Sequence, residues 1–318
     1  MAIAYQTGSA TDVTDLLDKL RIFLLAQGWT VNGFVVITNG KRLSLLSPAG
    51  NYFELASDTS VVTGANPSPY IKVCACRGYA SGSAFNAQSG TSGETWANRL
   101  TGPFTAYHFF VDSSYAHIVI EITSGVFSHI QIGAINKFCT FTGGEYAAAL
   151  NWYMSGSGYQ NTPVSGYHNV PWENQNNSGN AKYSQFRADI DSVSDKWHGP
   201  HDSATYRFMS NTMQLWSQST AGISRRIWSA GPSSYNQNTP LIPLYAIVVR
   251  ASTNQSILGV APDVRGINMK NYAPGATITI GSEQWLVFPW TQKSDAYNVP
   301  ADAAKVQSYY YGFAYRKA

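Results

Sequence analysis

The stretch from Ala106 to Tyr146 constrains the fold more than any other. It reads AYHFFVDSSYAHIVIEITSGVFSHIQIGAINKFCTFTGGEY. Tyr107 to Val111 is aromatic and β-branched, Asp112-Ser113-Ser114 is turn chemistry, and Ala116 to Ile122 alternates apolar with polar or mixed positions. Side chains on a strand alternate between two faces, so Ile118, Ile120 and Ile122 share one and His117, Val119 and Glu121 the other. A two-residue loop at Ser113-Ser114 sets Phe110 opposite His117 and His108 opposite Val119. That makes His108 and His117 diagonal neighbours on the face that carries Glu121. After Ser124-Gly125 the chain resumes at Val126 to Ile132, closes on Gly133 and continues to a turn at Gly143-Gly144. The expectation is a β-meander at the core of the N-terminal half.

Around it the chain shows one convincing helix. Leu16, Leu17, Leu20, Phe23 and Leu24 recur at helical spacing, Thr11 or Thr14 offers an N-cap oxygen, and Gly28 stops the run. Strands are expected from Trp29 to Val31, Phe34 to Thr38, Arg42 to Leu46, Tyr52 to Leu55 and Tyr70 to Cys76, with Asn39-Gly40 as the best hairpin turn. Residues 78–103 read as a long loop. Strand patterning returns at Pro243 to Ala251, Ile257 to Val260, Ala276 to Ile280, Gln284 to Phe288 and Tyr309 to Tyr315. The class is α+β, sheet-dominated, with one N-terminal helix, antiparallel β-meanders and long loops rich in aromatics, Gly and Asn. Three regions follow: 1–150 around the meander, a loop-rich aromatic insertion over 151–240, and a C-terminal β region over 241–318 that packs on the first. No period of 20 to 50 residues marks a solenoid or propeller.

Only 12% of the 318 residues are charged, against a usual share of roughly 25%. The net charge of +3 is spread without a Lys/Arg block, so neither a nucleic-acid groove nor an anionic-membrane patch is indicated. The first residues lack the basic and apolar regions of a secretory signal, and no apolar run approaches a membrane span. Three cysteines, Cys74, Cys76 and Cys139, are odd for a disulfide framework and read as buried reduced thiols. A soluble protein made in a reducing cytoplasm is expected.

Candidate chemistry is thin. His108, His117 and Glu121, with His129 downstream, are the weak candidates for a metal site on one face of the meander, and hydrogen bonding by the imidazoles is the preferred reading. Trp197-His198-Gly199-Pro200-His201-Asp202 is a second histidine pair, better read as a polar-capped turn. There is no nucleophile elbow, no phosphate loop of Walker or Rossmann spacing, and no two carboxylates single themselves out among Glu121, Glu145, Asp189, Asp191 and Asp195. The expectation is therefore no enzyme, no catalytic residue and no cofactor. Trp172, Trp197, Trp216 and Trp228 among Asn, Ser and Gly suit a protein interface, and also a glycan site. In Ala261 to Gly275, Pro262 and Gly266 suggest a shaped connection in which Arg265 bonds Asp263 and loop carbonyls as a structural clamp.

Three segments carry a resemblance: TDVTDLLDKLRIFLLAQGWTV, HFFVDSSYAHIVIEITSGVFSHIQIGAINKF and APDVRGINMKNYAPGATITIGSEQWLVFPW. They resemble virion structural proteins of tailed bacteriophages. The resemblance implies a repeated, non-enzymatic subunit at the neck, collar, tail or baseplate. It would be synthesised in the bacterial cytoplasm and partnered by identical subunits and other virion proteins. The alternative it leaves is a receptor-binding module that contacts host glycan through the loop-rich region; a hydrolase using the His108/His117/Glu121 face is the third reading.

Overall fold

The computed structural model describes residues 3–60, 69–150, 185–191, 232–250, 254–293 and 310–318. The chain opens with β1 (Ala4–Ala10) and α1 (Val13–Ala26), then runs through β2 (Thr30–Ile37), β3 (Gly40–Leu46), β4 (Tyr52–Asp58), β5 (Tyr70–Cys76) and β6 (Thr95–Ala97). The meander follows as β7 (Phe104–Val111), β8 (Tyr115–Thr123), β9 (Val126–Ala134), β10 (Asn136–Lys137), β11 (Gly143–Ala149) and β12 (Gln185–Ile190). The C-terminal part is β13 (Ile242–Arg250), β14 (Asn254–Asn268), β15 (Thr277–Ile280), β16 (Glu283–Pro289) and β17 (Tyr311–Arg316).

These strands form three antiparallel sheets. The central one has six strands in the order β1-β7-β8-β9-β11-β12, the N-terminal one five in the order β2-β3-β4-β5-β6, and the C-terminal one the order β10-β14-β17-β16-β15 with β13 beside β14. The register of the meander is the expected one: Phe110 pairs with His117 and His108 with Val119. Gly143 and Gly144 do not form a turn; they open β11 with positive φ.

Alternation gives the central sheet two apolar faces, and both are covered. On one, Phe109, Ile118, Ile120, Ile130 and Ile132 join the core built with α1 and with Leu43, Phe53, Leu55 and Val73 of the N-terminal sheet. The two sheets touch where β5 and β6 meet β11. Towards β1 and β7 the helix lies between them, touching β2, β3 and β4 as well. On the other face, Phe110, Val119, Phe127 and Tyr146 pack on Leu286, Phe288, Phe313 and Tyr315 of the C-terminal sheet. A strand face that looks half-exposed in sequence is thus an interior.

The helix buries Leu16, Leu17, Leu20, Phe23 and Leu24 as the spacing requires. Its N-cap is Asp12, not Thr11 or Thr14: the Asp12 carboxylate accepts from the Thr14 and Asp15 amides at 2.7 and 2.9 Å. β1 has no strand signature of its own and exists by pairing with β7. The segments expected at 29–31 and 34–38 are one strand, β2, with a bulge between Val31 and Gly33. The hairpin after it turns on Asn39 at φ 61°, and Gly40 sits so close to the Ser57 carbonyl that a Cβ there would collide with it. The loop expected over 78–103 contains the short strand β6.

Two corrections concern the C-terminal part. Ala261 to Asn268 is not a connection but the continuation of β14, which is 15 residues long. Asn254 to Val260 pair with β13, which meets the strand again at Arg265 and Gly266, and β17 pairs with it from Val264 onward. Pro262 lies in the stretch 261–263 for which neither neighbour provides a pair, so its missing N–H breaks no pairing. Gly266 is accordingly a paired strand residue. Cys139 is the second correction, since it is exposed while Cys74 and Cys76 are buried. No helix of the described residues is long and apolar enough to cross a membrane. Trp172, Trp197, Trp216 and Trp228, and the 197–202 histidine pair, lie outside the described residues.

Candidate functional site

The alternation of β7, β8 and β9 aims His108, His117, His129 and Gln131 at the C-terminal sheet. His117, His129 and Gln131 are completely buried. His129 uses both ring nitrogens: Nε2 lies 2.9 Å from the Pro289 carbonyl and Nδ1 2.9 Å from the Tyr315 hydroxyl. A carbonyl only accepts, so Nε2 carries the proton and Tyr315 donates to Nδ1. Tyr315 in turn accepts from Gln131 Nε2 at 3.0 Å. His117 donates through Nε2 to the Pro262 carbonyl at 2.8 Å, in the unpaired stretch of β14. His108 meets the Tyr5 hydroxyl through Nδ1 at 2.8 Å.

Rings complete the layer. Tyr115 stacks on His117 at 4.4 Å between centroids, Tyr315 on His129 at 5.8 Å, and Phe288 tilts against His108 at 4.7 Å. Burial drives the pKa of each of the three histidines down to about 4. A charged imidazole here would lose its hydration without gaining a carboxylate in contact. Asp263 raises the His117 pKa in part and is opposed by Arg265. Asp263 itself accepts from Tyr115 at 3.1 Å and from Arg316 at 3.4 Å. The Tyr115 and Tyr315 hydroxyls are pushed well above their ordinary range by burial, so both stay protonated donors.

This arrangement joins two sheets through neutral imidazoles. It does not gather His108, His117 and Glu121 into a metal site: each ring faces a different partner, and the Glu121 carboxylate turns back to accept from the Gly125 amide at 2.8 Å. Nor does Arg265 act as the fork expected from sequence. It donates to the adjacent Val264 carbonyl at 2.8 Å and lies 5.2 Å over the Trp285 ring. Asp263 is instead bridged by Arg316 of β17, which reaches both it and Glu283 of β16, at 3.4 and 3.3 Å.

A second polar cluster lies on the outer face of the N-terminal sheet, which the sequence reading missed. Arg42, Ser44 and Glu54 share that face with Cys74 and Cys76, because each alternates with the inward-facing Leu43, Leu45, Phe53, Leu55, Val73 and Ala75. Glu54 is 1% exposed and its Oε1 accepts from Arg42, from Ser44 at 3.2 Å and from Gln88 at 3.2 Å. Its Oε2 has one longer contact, the Asn86 amide at 3.3 Å. The two thiols lie 4.0 Å apart, and Glu54, Cys74 and Cys76 place one ligand atom each within 4.8 Å of one another. Residue spacing alone carried the signal for the thiols; the glutamate comes from the neighbouring strand, paired Glu54 to Cys74.

No protein-family model matches the chain, and no curated protein matches it.

Proposed function

We propose that this chain is a non-enzymatic structural subunit of a tailed-bacteriophage particle. It assembles with copies of itself, and with other virion proteins, in a ring or layer at the neck, collar or tail. The observation that carries the reading is the outer edge of β2. Among the described residues no strand pairs with it, its sequence TVNGFVVI has no charge or proline, and Val35 and Val36 are 51% and 82% exposed. An uncharged, unpaired edge is a template for pairing with another chain, and proteins that remain alone block such edges. Ile22 and Leu25 of α1 are exposed as well. The histidines that looked most like chemistry join two layers of the fold, which also suits a structural role. The low charge and the sequence resemblance to virion proteins point the same way.

The test is sedimentation of the purified chain together with electron microscopy of the particle. The expected result is a closed oligomer whose contacts bury more than about 1,000 Å² each, and which Val36→Lys reduces to folded monomer. A chain that stays monomeric at all concentrations and is absent from purified particles overturns the reading. Specific glycan binding by such a monomer would instead make it a receptor-binding module.

A further inference from the structure

We propose that Cys74, Cys76 and Glu54 form a binding site for a soft divalent cation of the zinc and cadmium class. Three features of the cluster carry this. The thiols project from one face of β5 with their sulfurs 4.0 Å apart, close to the edge of about 3.8 Å that a tetrahedron with zinc–sulfur bonds of roughly 2.3 Å requires. The carboxylate is oriented for a ligand on one side only: Arg42, Ser44 and Gln88 all donate to Oε1, and Oε2 keeps a single 3.3 Å amide contact. Carboxylates that bind metals are typically held through their other oxygen in this way. The third feature is the surroundings. All three residues are buried, so a bound ion would be shielded from competing water.

The charge balance favours a divalent ion that prefers sulfur. Each thiol releases its proton as it becomes a thiolate ligand, so one M²⁺ enters as two H⁺ leave and the net charge of the interior is unchanged. The Arg42–Glu54 pair keeps its partner. Magnesium and calcium, which prefer oxygen, would gain nothing from the two sulfurs. The three side chains supply three ligands, which leaves a fourth position for water.

The site lies beneath residues 78–94, which are fastened to the sheet by the Ser92 Oγ bond to the Ala75 amide and the Ser89 carbonyl bond to the Arg77 amide, at 3.0 and 2.9 Å. Entry of the ion requires that segment to lift, so loading should be slow.

The experiment is a cadmium titration of the reduced, chelator-treated full chain. It is read by the ultraviolet thiolate-to-cadmium charge-transfer band, by bound cadmium and by released protons. The expected result is one cadmium per chain, about two protons released per ion and a raised Tm. Cys139→Ser should leave all three unchanged, because Cys139 is exposed elsewhere. Cys74→Ser and, separately, Cys76→Ala should abolish the band. Ser44→Ala, which leaves the ligands in place and removes one donor to Glu54, should weaken binding about tenfold. The proposal is overturned if the native chain shows no band, if the band disappears with Cys139→Ser, or if cadmium binds only after urea unfolds the chain. It stands or falls independently of the assembly reading above.

Discussion

Acid should separate the two sheets that the histidines join. A histidine whose folded pKa is depressed contributes stability that is fully present above its unfolded value and is lost as pH falls towards the folded one. For His108, His117 and His129 that window runs from 6.5 down to about 4. At pH 5 an unfolded imidazole is almost fully charged and a folded one is mostly neutral, which costs the fold about 2 kcal/mol per ring. Three rings give about 6 kcal/mol as an upper bound, since they share one interface and the first protonation eases the next. That is comparable to the whole stability of an ordinary domain, about 5–15 kcal/mol. Near pH 5.5 unfolding should take up between two and three protons, a slope of about 3–4 kcal/mol per pH unit. Urea unfolding from pH 7.5 to 4.5, followed by near-ultraviolet circular dichroism, measures it. His117→Gln offers an N–H to the Pro262 carbonyl but takes up no proton, so it should remove about one proton from the slope. A stability that changes by less than about 1 kcal/mol between pH 7 and 5, or a slope unaltered in His117→Gln, would refute the reasoning.

Three further outcomes are expected. Leu20, 2% exposed on the inner face of α1, should cost roughly 2–5 kcal/mol as Leu20→Ala in chemical denaturation. Asp12→Ala removes the carboxylate that accepts two helix amides and should lower stability by about 1 kcal/mol, whereas Thr11→Ala, outside the cap, should change it by less than half of that. Arg42→Ala leaves the buried Glu54 without its cation and should cost about 3–5 kcal/mol at neutral pH; recovery of most of that loss in the double variant with Glu54→Leu would confirm the cause.

The meander, its register and α1 were readable in sequence because each is fixed locally, by alternation or by a 3.6-residue period. What lay out of reach depends on distant partners. Residues 4–10, AYQTGSA, carry no strand pattern, and β1 forms only because β7 offers an edge. Periodicity told that His108 and His117 share a face. It could not tell that residues from β14, β16 and β17 would cover that face and turn apparent metal ligands into buried hydrogen-bond donors and acceptors. Pro262 misled for the same reason: proline argues against a strand unless its position is skipped by the pairing, and that pairing is set by the distant β13 and β17. Arg265 lost its expected role because Arg316, near the C-terminus, reaches Asp263 instead. The Glu54 cluster was invisible because its members come from three strands and a loop.

The connectivity of the layers also dictates an order of folding. Tyr5 meets His108 across 103 residues, and His129 meets the Pro289 carbonyl across 160. Closing loops of that size is entropically costly and slow unless the docking surface already exists. The hairpins β7-β8 and β8-β9, with turns of a few residues, can form early and unaided. They then serve as the template on which β1 docks from one end of the chain and β14, β16 and β17 from the other. Until the last of these arrives, the histidine face is open to water and its imidazoles carry ordinary basicity. Refolding should therefore be slower at pH 5.5 than at pH 7.5, as protonated rings delay the final sheet from closing over them.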